Sequence, residues 1–123
     1  MQWIAVALGG ACGAMARYSV GAWLFPIEGH RFPLSTLFVN VLGALLMGVF
    51  YVIIVEKAAL TGYWRELLMV GFLGAFTTFS TFSLDALALW QNGHLALALF
   101  YVTVSVLLCL GGTFTAIVIT RLI

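Results

Sequence analysis

Four long apolar stretches, separated by short polar breaks, make up nearly the whole chain. They run from about Trp3 to Phe25, Pro33 to Val55, Glu66 to Trp90 and Leu95 to Thr120. Each reaches the roughly 20 residues that a helix needs to cross a bilayer core. The pattern therefore predicts four transmembrane helices forming a single domain over residues 1–123. The breaks are turns by composition. Pro26-Ile27-Glu28-Gly29-His30-Arg31-Phe32-Pro33 carries Pro and Gly, the stretch from Glu56 to Arg65 carries Lys57 and Gly62, and Gln91-Asn92-Gly93-His94 is tight. Linkers this short make sequential helices antiparallel neighbours. An even number of spans leaves both termini on one side. Trp3, Tyr63, Trp64 and Trp90 fall at span ends, as an interfacial aromatic belt requires.

Composition sharpens this picture. Of 123 residues, 64% are hydrophobic and 7% charged, against about 25% charged in a soluble domain. Such a chain cannot cover a water-facing surface, and no room remains for a soluble catalytic domain. No nucleophile–base pair or metal cluster is visible, which argues against an enzyme. The basic residues are scattered, so nucleic-acid binding, which needs clustered Lys or Arg, is not expected. Cys12 and Cys109 form no CxxC or Cys/His pattern and read as small buried hydrophobes. The start, Met1-Gln2-Trp3-Ile4, has no basic n-region and reads as the first span rather than a cleaved signal.

Orientation is weakly specified. The side with the termini and the middle loop holds Lys57, Arg65 and Arg121; the other holds Arg31, and Arg17 if it reaches that interface. The positive-inside rule acts on the difference between the two counts, which is small. Two outcomes fit: a single topology, or insertion both ways and hence an antiparallel dimer.

The third span departs most from a lipid-facing helix. Gly71-Phe72-Leu73-Gly74-Ala75-Phe76-Thr77-Thr78-Phe79-Ser80-Thr81-Phe82-Ser83 sets five hydroxyls and three phenylalanines into its last eight residues. The two glycines and the hydroxyl run weaken regular helix, and Thr and Ser can bond to the preceding turn. A break near the middle of this helix is expected. Broken helices at membrane depth are tolerated where they are buried in protein or line a cavity. Free carbonyls there suit a cation, and free N–H groups an anion. Phe76, Phe79 and Phe82 recur at spacing three, either as core or as positive ring edges turned to a small anion. Binding without a full charge also permits release, which conduction needs. Asp85 caps, pairs or faces water.

The other spans add polar positions. In the second, Asn40 lies one turn after Thr36 on the same face; its donors suit an anion, or it is interhelical glue. In the first, Gly9 and Gly13, and Gly10 and Ala14, give small faces for close helix approach. Arg17 either draws an anion into a vestibule, makes a structural contact or snorkels. In the fourth, Tyr101, Ser105, Cys109 and Thr113 follow at four-residue steps, a candidate polar track. Gly111-Gly112 beside it suggests another close contact.

Taken together, Gly9-Gly10…Gly13-Ala14…Arg17-Tyr18, Thr36-Leu37…Val39-Asn40…Gly43 and Gly71-Phe72…Gly74…Thr77-Thr78-Phe79-Ser80-Thr81-Phe82-Ser83 resemble the Fluc fluoride channels, the CrcB-like family. The resemblance covers all four spans, and the Thr-Thr-Phe-Ser-Thr-Phe-Ser run is its most specific part. It implies an all-α, dual-topology antiparallel homodimer in the bacterial inner membrane, with two fluoride pores lined by both subunits. The implied activity is passive, selective fluoride export: HF crosses the membrane, ionises in the more alkaline cytoplasm and needs a route out as the anion. On this resemblance Phe79 and Phe82 offer ring edges, Asn40 is a pore residue, Tyr101 and Ser105 line a polar track, and Arg17 lies toward a vestibule. Thr36, Ser80 and Thr81 complete the candidate fluoride pathway. A structural Na+ ion at the dimer centre would be held by backbone carbonyls of Gly74 and Thr77. Three positions depart from the family pattern: Ser35 and Ala75 stand where glycine is common, and Cys109 where a hydroxyl would extend the track.

A proton-coupled multidrug exporter of this size, also four-spanning and dual-topology, is the alternative. Those proteins resemble a pattern with a membrane-embedded glutamate in the first helix. Here that span holds no acid, and Arg17 has the wrong sign. A purely structural membrane subunit would leave the hydroxyl cluster and Asn40 without a purpose.

Overall fold

The computed structural model describes residues 1–25 and 32–123, all of whose regular structure is helical. The turn expected over Pro26–Pro33, with Arg31 and its share of the charge balance, lies almost wholly outside the described residues. Helix α1 is Gln2–Leu24 and α2 is Leu34–Glu56. The third span, Arg65–Gln91, is two helices. We label residues 65–76 α3, comprising a wide-turned stretch Arg65–Leu73 and a final α-helical turn Gly74–Phe76, and Phe79–Gln91 α4. Helix α5 is Leu95–Leu122. All four spans are long and apolar enough to cross a membrane, with ends within two residues of the sequence expectation.

Helix α1 lies along α3, α2 lies along α5, and α4 packs on α5. Glycines allow the first contact. A Cβ on Gly9 would run into the Leu67 carbonyl oxygen, and one on Gly13 into that of Phe72. From the other side, a Cβ on Gly71 would sit 2.7 Å from the Val6 carbonyl oxygen. Gly71 thus serves helix packing and lies within α3, not at its break. The face through Gly10 has nothing within 4 Å, so only one of the two small faces of α1 is used inside the subunit. Gly48 plays the same part between α2 and α5, 2.7 Å from the Thr113 carbonyl oxygen at its Cβ position. Gly111 beside it faces open space, while Gly112 approaches the Leu45 side chain.

The turn between α4 and α5 shows why Asn92-Gly93 stands there. Gly93 has φ 82°, a left-handed conformation that costs glycine nothing. It lets the His94 N–H reach the Leu89 carbonyl at 2.9 Å and its own N–H reach that of Trp90 at 3.0 Å. These two bonds satisfy carbonyls that α4 would otherwise leave unpaired.

At one end of the bundle, Arg121 donates from Nε and Nη2 to both carboxylate oxygens of Glu56, at 2.9 and 2.5 Å. Lys57 Nζ donates to the Thr120 carbonyl beside them. The end of α5 therefore meets the end of α2, and the packing of Val6 and Gly9 on α3 sets the start of α1 beside the start of α3. Both termini and the middle loop share one side, as an even number of spans requires.

Two buried clusters hold the subunit. Val39, Leu73 and Phe76 form one, between α2 and α3. Phe82, Leu89, Ala98 and Tyr101 form the other, between α4 and α5. Most other large apolar side chains point outward, Leu8, Leu99, Leu107 and Phe114 among them. Trp3, Tyr63, Trp64, Trp90 and also Trp23 are exposed at helix ends, where amphipathic rings anchor to headgroups. Cys12 is exposed on α1 and Cys109 is half-buried. The expectation that both cysteines are buried fails, because α1 turns only its glycine face inward.

Candidate functional site

The break in the third span is two residues long. Thr77 (ψ 160°) and Thr78 (φ −153°, ψ 116°) are extended, and helix lies on either side. Helix α3 closes on the Leu73 carbonyl, which accepts from both the N–H and the hydroxyl of Thr77, at 3.0 and 2.9 Å. Helix α4 opens on Thr78, whose hydroxyl oxygen accepts the Thr81 N–H at 3.2 Å. That is the N-cap arrangement threonine is suited to. The cap hydroxyl also meets Ser80 Oγ at 3.3 Å and donates to Thr81 Oγ1 at 3.1 Å.

Asn40 of α2 holds the break in place. Its Oδ1 accepts the Thr78 N–H at 2.7 Å, and its Nδ2 donates to the Thr78 carbonyl at 3.0 Å. One amide thus pairs both backbone groups of an extended residue, much as a neighbouring strand would. Unpaired in an apolar interior, those groups would cost about 1–3 kcal/mol each. The close fit of α2 depends on Gly43, where a Cβ would strike the Thr77 methyl.

The same bonds leave carbonyls free. In an unbroken helix the Gly74 carbonyl would accept from Thr78 N–H, and the Thr77 carbonyl from Thr81 N–H. Here those donors are turned to Asn40 and to the Thr78 hydroxyl. Half-buried Arg17 brings Nη1 to 3.5 Å from the Thr77 carbonyl, a long contact that directs its charge at the break.

Beside the break lies a groove of about 390 Å³ between α2, α4 and α5. Asn40, Thr77, Thr78, Phe79, Phe82, Ser105, Cys109 and Thr113 line it, with Gly43, Ala44, Met47, Val106 and Leu110. Of the expected polar track, Ser105, Cys109 and Thr113 face it. Thr113 spends its hydroxyl on the Ala44 carbonyl at 3.0 Å. The Ser105 hydroxyl is buried and has no partner among the described residues. Tyr101 is fully buried, and its hydroxyl donates to Asp85 Oδ2 at 3.3 Å rather than into the groove. Thr36 donates to the same oxygen at 2.7 Å. Asp85 is therefore the centre of a three-residue polar cluster next to the groove, so of the readings open to it, it pairs. The signal was an acid in an apolar helix; the sequence could not show which hydroxyls would reach it.

The three phenylalanines separate. Phe76 is core, stacked on Phe72 at 5.8 Å. Phe82 is 8% exposed, 5.4 Å from the Phe79 ring and 5.2 Å from that of Tyr101. Phe79 is 78% exposed, with its ring at the mouth of the groove. Ser80, Thr81 and Arg17 belong to the break rather than to the groove wall.

This architecture defines a class: a small polytopic membrane protein whose third span is broken and clamped beside a partly polar groove. The family follows from comparison. Residues 4–117 match the model of the CrcB-like proteins, described as "CrcB-like protein, Camphor Resistance (CrcB)", and the chain belongs to that family. A protein of Saccharophagus degradans is 58% identical over 119 residues, 97% of this chain and 89% of that one. One of Hahella chejuensis is 51% identical over 118 residues, 96% and 93% of the two chains. One of Magnetococcus marinus is 46% identical over 123 residues, the full length of both. Each of the three is named "Fluoride-specific ion channel FluC".

Proposed function

We propose that this chain is the subunit of a fluoride-selective channel that lets fluoride leave the cell passively, and that two copies, inserted antiparallel, form two pores. The observation that carries this reading is the groove at the helix break. It offers a spare amide N–H of Asn40, the unpartnered Ser105 hydroxyl and the rings of Phe79 and Phe82, with no Lys or Arg in its wall. Such a wall can strip water from a small anion and still release it. The exposed Phe79 supports a dimer, since a second copy would bring another wall to the open side. The names of the relatives supply the ion.

The residues at the break also fit a Na+ ion. The freed carbonyls of Gly74 and Thr77 are hard oxygen donors, the kind such a cation takes. Gly74 is exposed, so it is open to a partner. When bound, the ion would fix the two breaks against each other. Arg17 already reaches the Thr77 carbonyl at 3.5 Å, and its positive charge works against a second cation there. Asn40, not the ion, holds the break within one subunit.

The test is fluoride efflux from liposomes carrying the purified protein, read with a fluoride electrode after a potassium ionophore is added, with chloride efflux alongside. Fast fluoride loss with chloride retained is the expected result. No fluoride loss from well-folded dimers would overturn the reading, and drug–proton exchange would be measured next.

A further inference from the structure

We propose that Cys109 is a soft-metal site on the ion path, and that a thiophilic monovalent cation such as Ag+ bound there closes the pore. The inference rests on reading the groove as the fluoride pathway. Three observations meet at this place. Cys109 lines the groove as a free thiol and is only half-buried. Met47, on the facing helix α2, lines the same groove and offers a thioether. One turn before Cys109 on α5, Ser105 also lines it; the residue is 4% exposed and its hydroxyl has no partner among the described residues. A buried hydroxyl without a partner is an oxygen held ready for a ligand.

Thiol and thioether together select soft cations over Na+ or Mg2+, which prefer oxygen. Binding needs no oxidant: the Cys109 S–H bond breaks, its proton goes to water, and an S–Ag bond forms. The bound metal then stands in the ion path between α2 and α5, and a tightly held ion does not leave at the rate conduction requires. Cys12, exposed on α1 and absent from the groove wall, is the internal control.

The experiment measures fluoride efflux from liposomes in chloride-free buffer, with and without Ag+, for the unaltered protein, C12S, C109S, C109A and M47L. Bound silver is quantified by elemental mass spectrometry after gel filtration. The expected result is block to the level of protein-free liposomes in the unaltered protein and C12S. M47L should need several-fold more silver, and flux through C109S and C109A should be insensitive at whatever level it runs. Equal block in both Cys109 variants would overturn the proposal. So would silver retained at Cys109 with flux unchanged. Absence of fluoride flux in the untreated protein would instead refute the channel reading, while the silver content of C109S against C12S would still decide the site.

Discussion

Asn40 sits where the helix break meets the groove. The sequence left open whether it was glue or an anion donor. Both amide atoms bond to Thr78, and one Nδ2 hydrogen is left for the groove. The two roles can be separated by substitution. N40A leaves the Thr78 N–H and carbonyl both unpaired and should destabilise the protein by about 2–6 kcal/mol, about 1–3 for each group, read as an earlier thermal unfolding in detergent. N40D keeps the acceptor for Thr78 N–H, loses the donor to the Thr78 carbonyl and puts a negative charge in the groove, so fluoride efflux should vanish even from the protein that elutes folded. Conduction at the normal rate in N40D would mean the groove is not the path. F79I should cut fluoride efflux with little effect on stability, because Phe79 is 78% exposed. F82I should reduce both, since that ring also packs in the α4–α5 cluster.

Among the elements, the contact between α1 and α3 is set by where glycine stands. Gly10→Ala meets nothing and should change the unfolding temperature little. Gly13→Ala drives a methyl into the Phe72 carbonyl, so α1 must move away, at a cost of about 1–3 kcal/mol for overpacking. Equal melting temperatures for the two variants would contradict this packing. The break between α3 and α4 has a further consequence. A Cβ on Gly74 comes no nearer than 3.8 Å to the atoms around it, so Gly74→Val should leave the subunit intact. If Gly74 meets a cation and a second copy, the variant should lose any sodium dependence of dimer stability, read by unfolding in sodium against a bulky organic cation. An unchanged sodium effect would remove Gly74 from that site.

For the whole molecule, charge bears on which way each chain inserts into the membrane. Lys57, Arg65 and Arg121 lie toward one end of the subunit, yet Arg121 is paired with Glu56 and Lys57 is tied to the Thr120 carbonyl. If both orientations are needed, adding two positive charges to the loop between α2 and α3, as A59K with T61K, should commit every subunit to one orientation. Fluoride efflux should then fail, and a thiol-accessibility assay at an added terminal cysteine should report a single topology. Full efflux from subunits shown to insert one way would rule out the antiparallel dimer.

The division of labour between sequence and tertiary structure follows from the range of the forces involved. Spans, their ends, the aromatic belt and the tight turn at Gln91-Asn92-Gly93-His94 were legible because they depend on neighbours a few residues apart: apolar length, turn residues and helical spacing. The existence of a break was legible for the same reason, from hydroxyls that compete with the backbone. Its place was not. The break falls at Thr77-Thr78, after both glycines, because Asn40, nearly forty residues away, supplies the bonds that an extended Thr78 needs. That extended pair also destroys the regular spacing of Phe76, Phe79 and Phe82, so one becomes core, one is shared and one opens outward. Asp85 gathers Thr36 and Tyr101 in the same way, across three helices. Periodicity along the chain determined what lies in the membrane; which polar groups pair and which stay free was decided only by helices brought together in space.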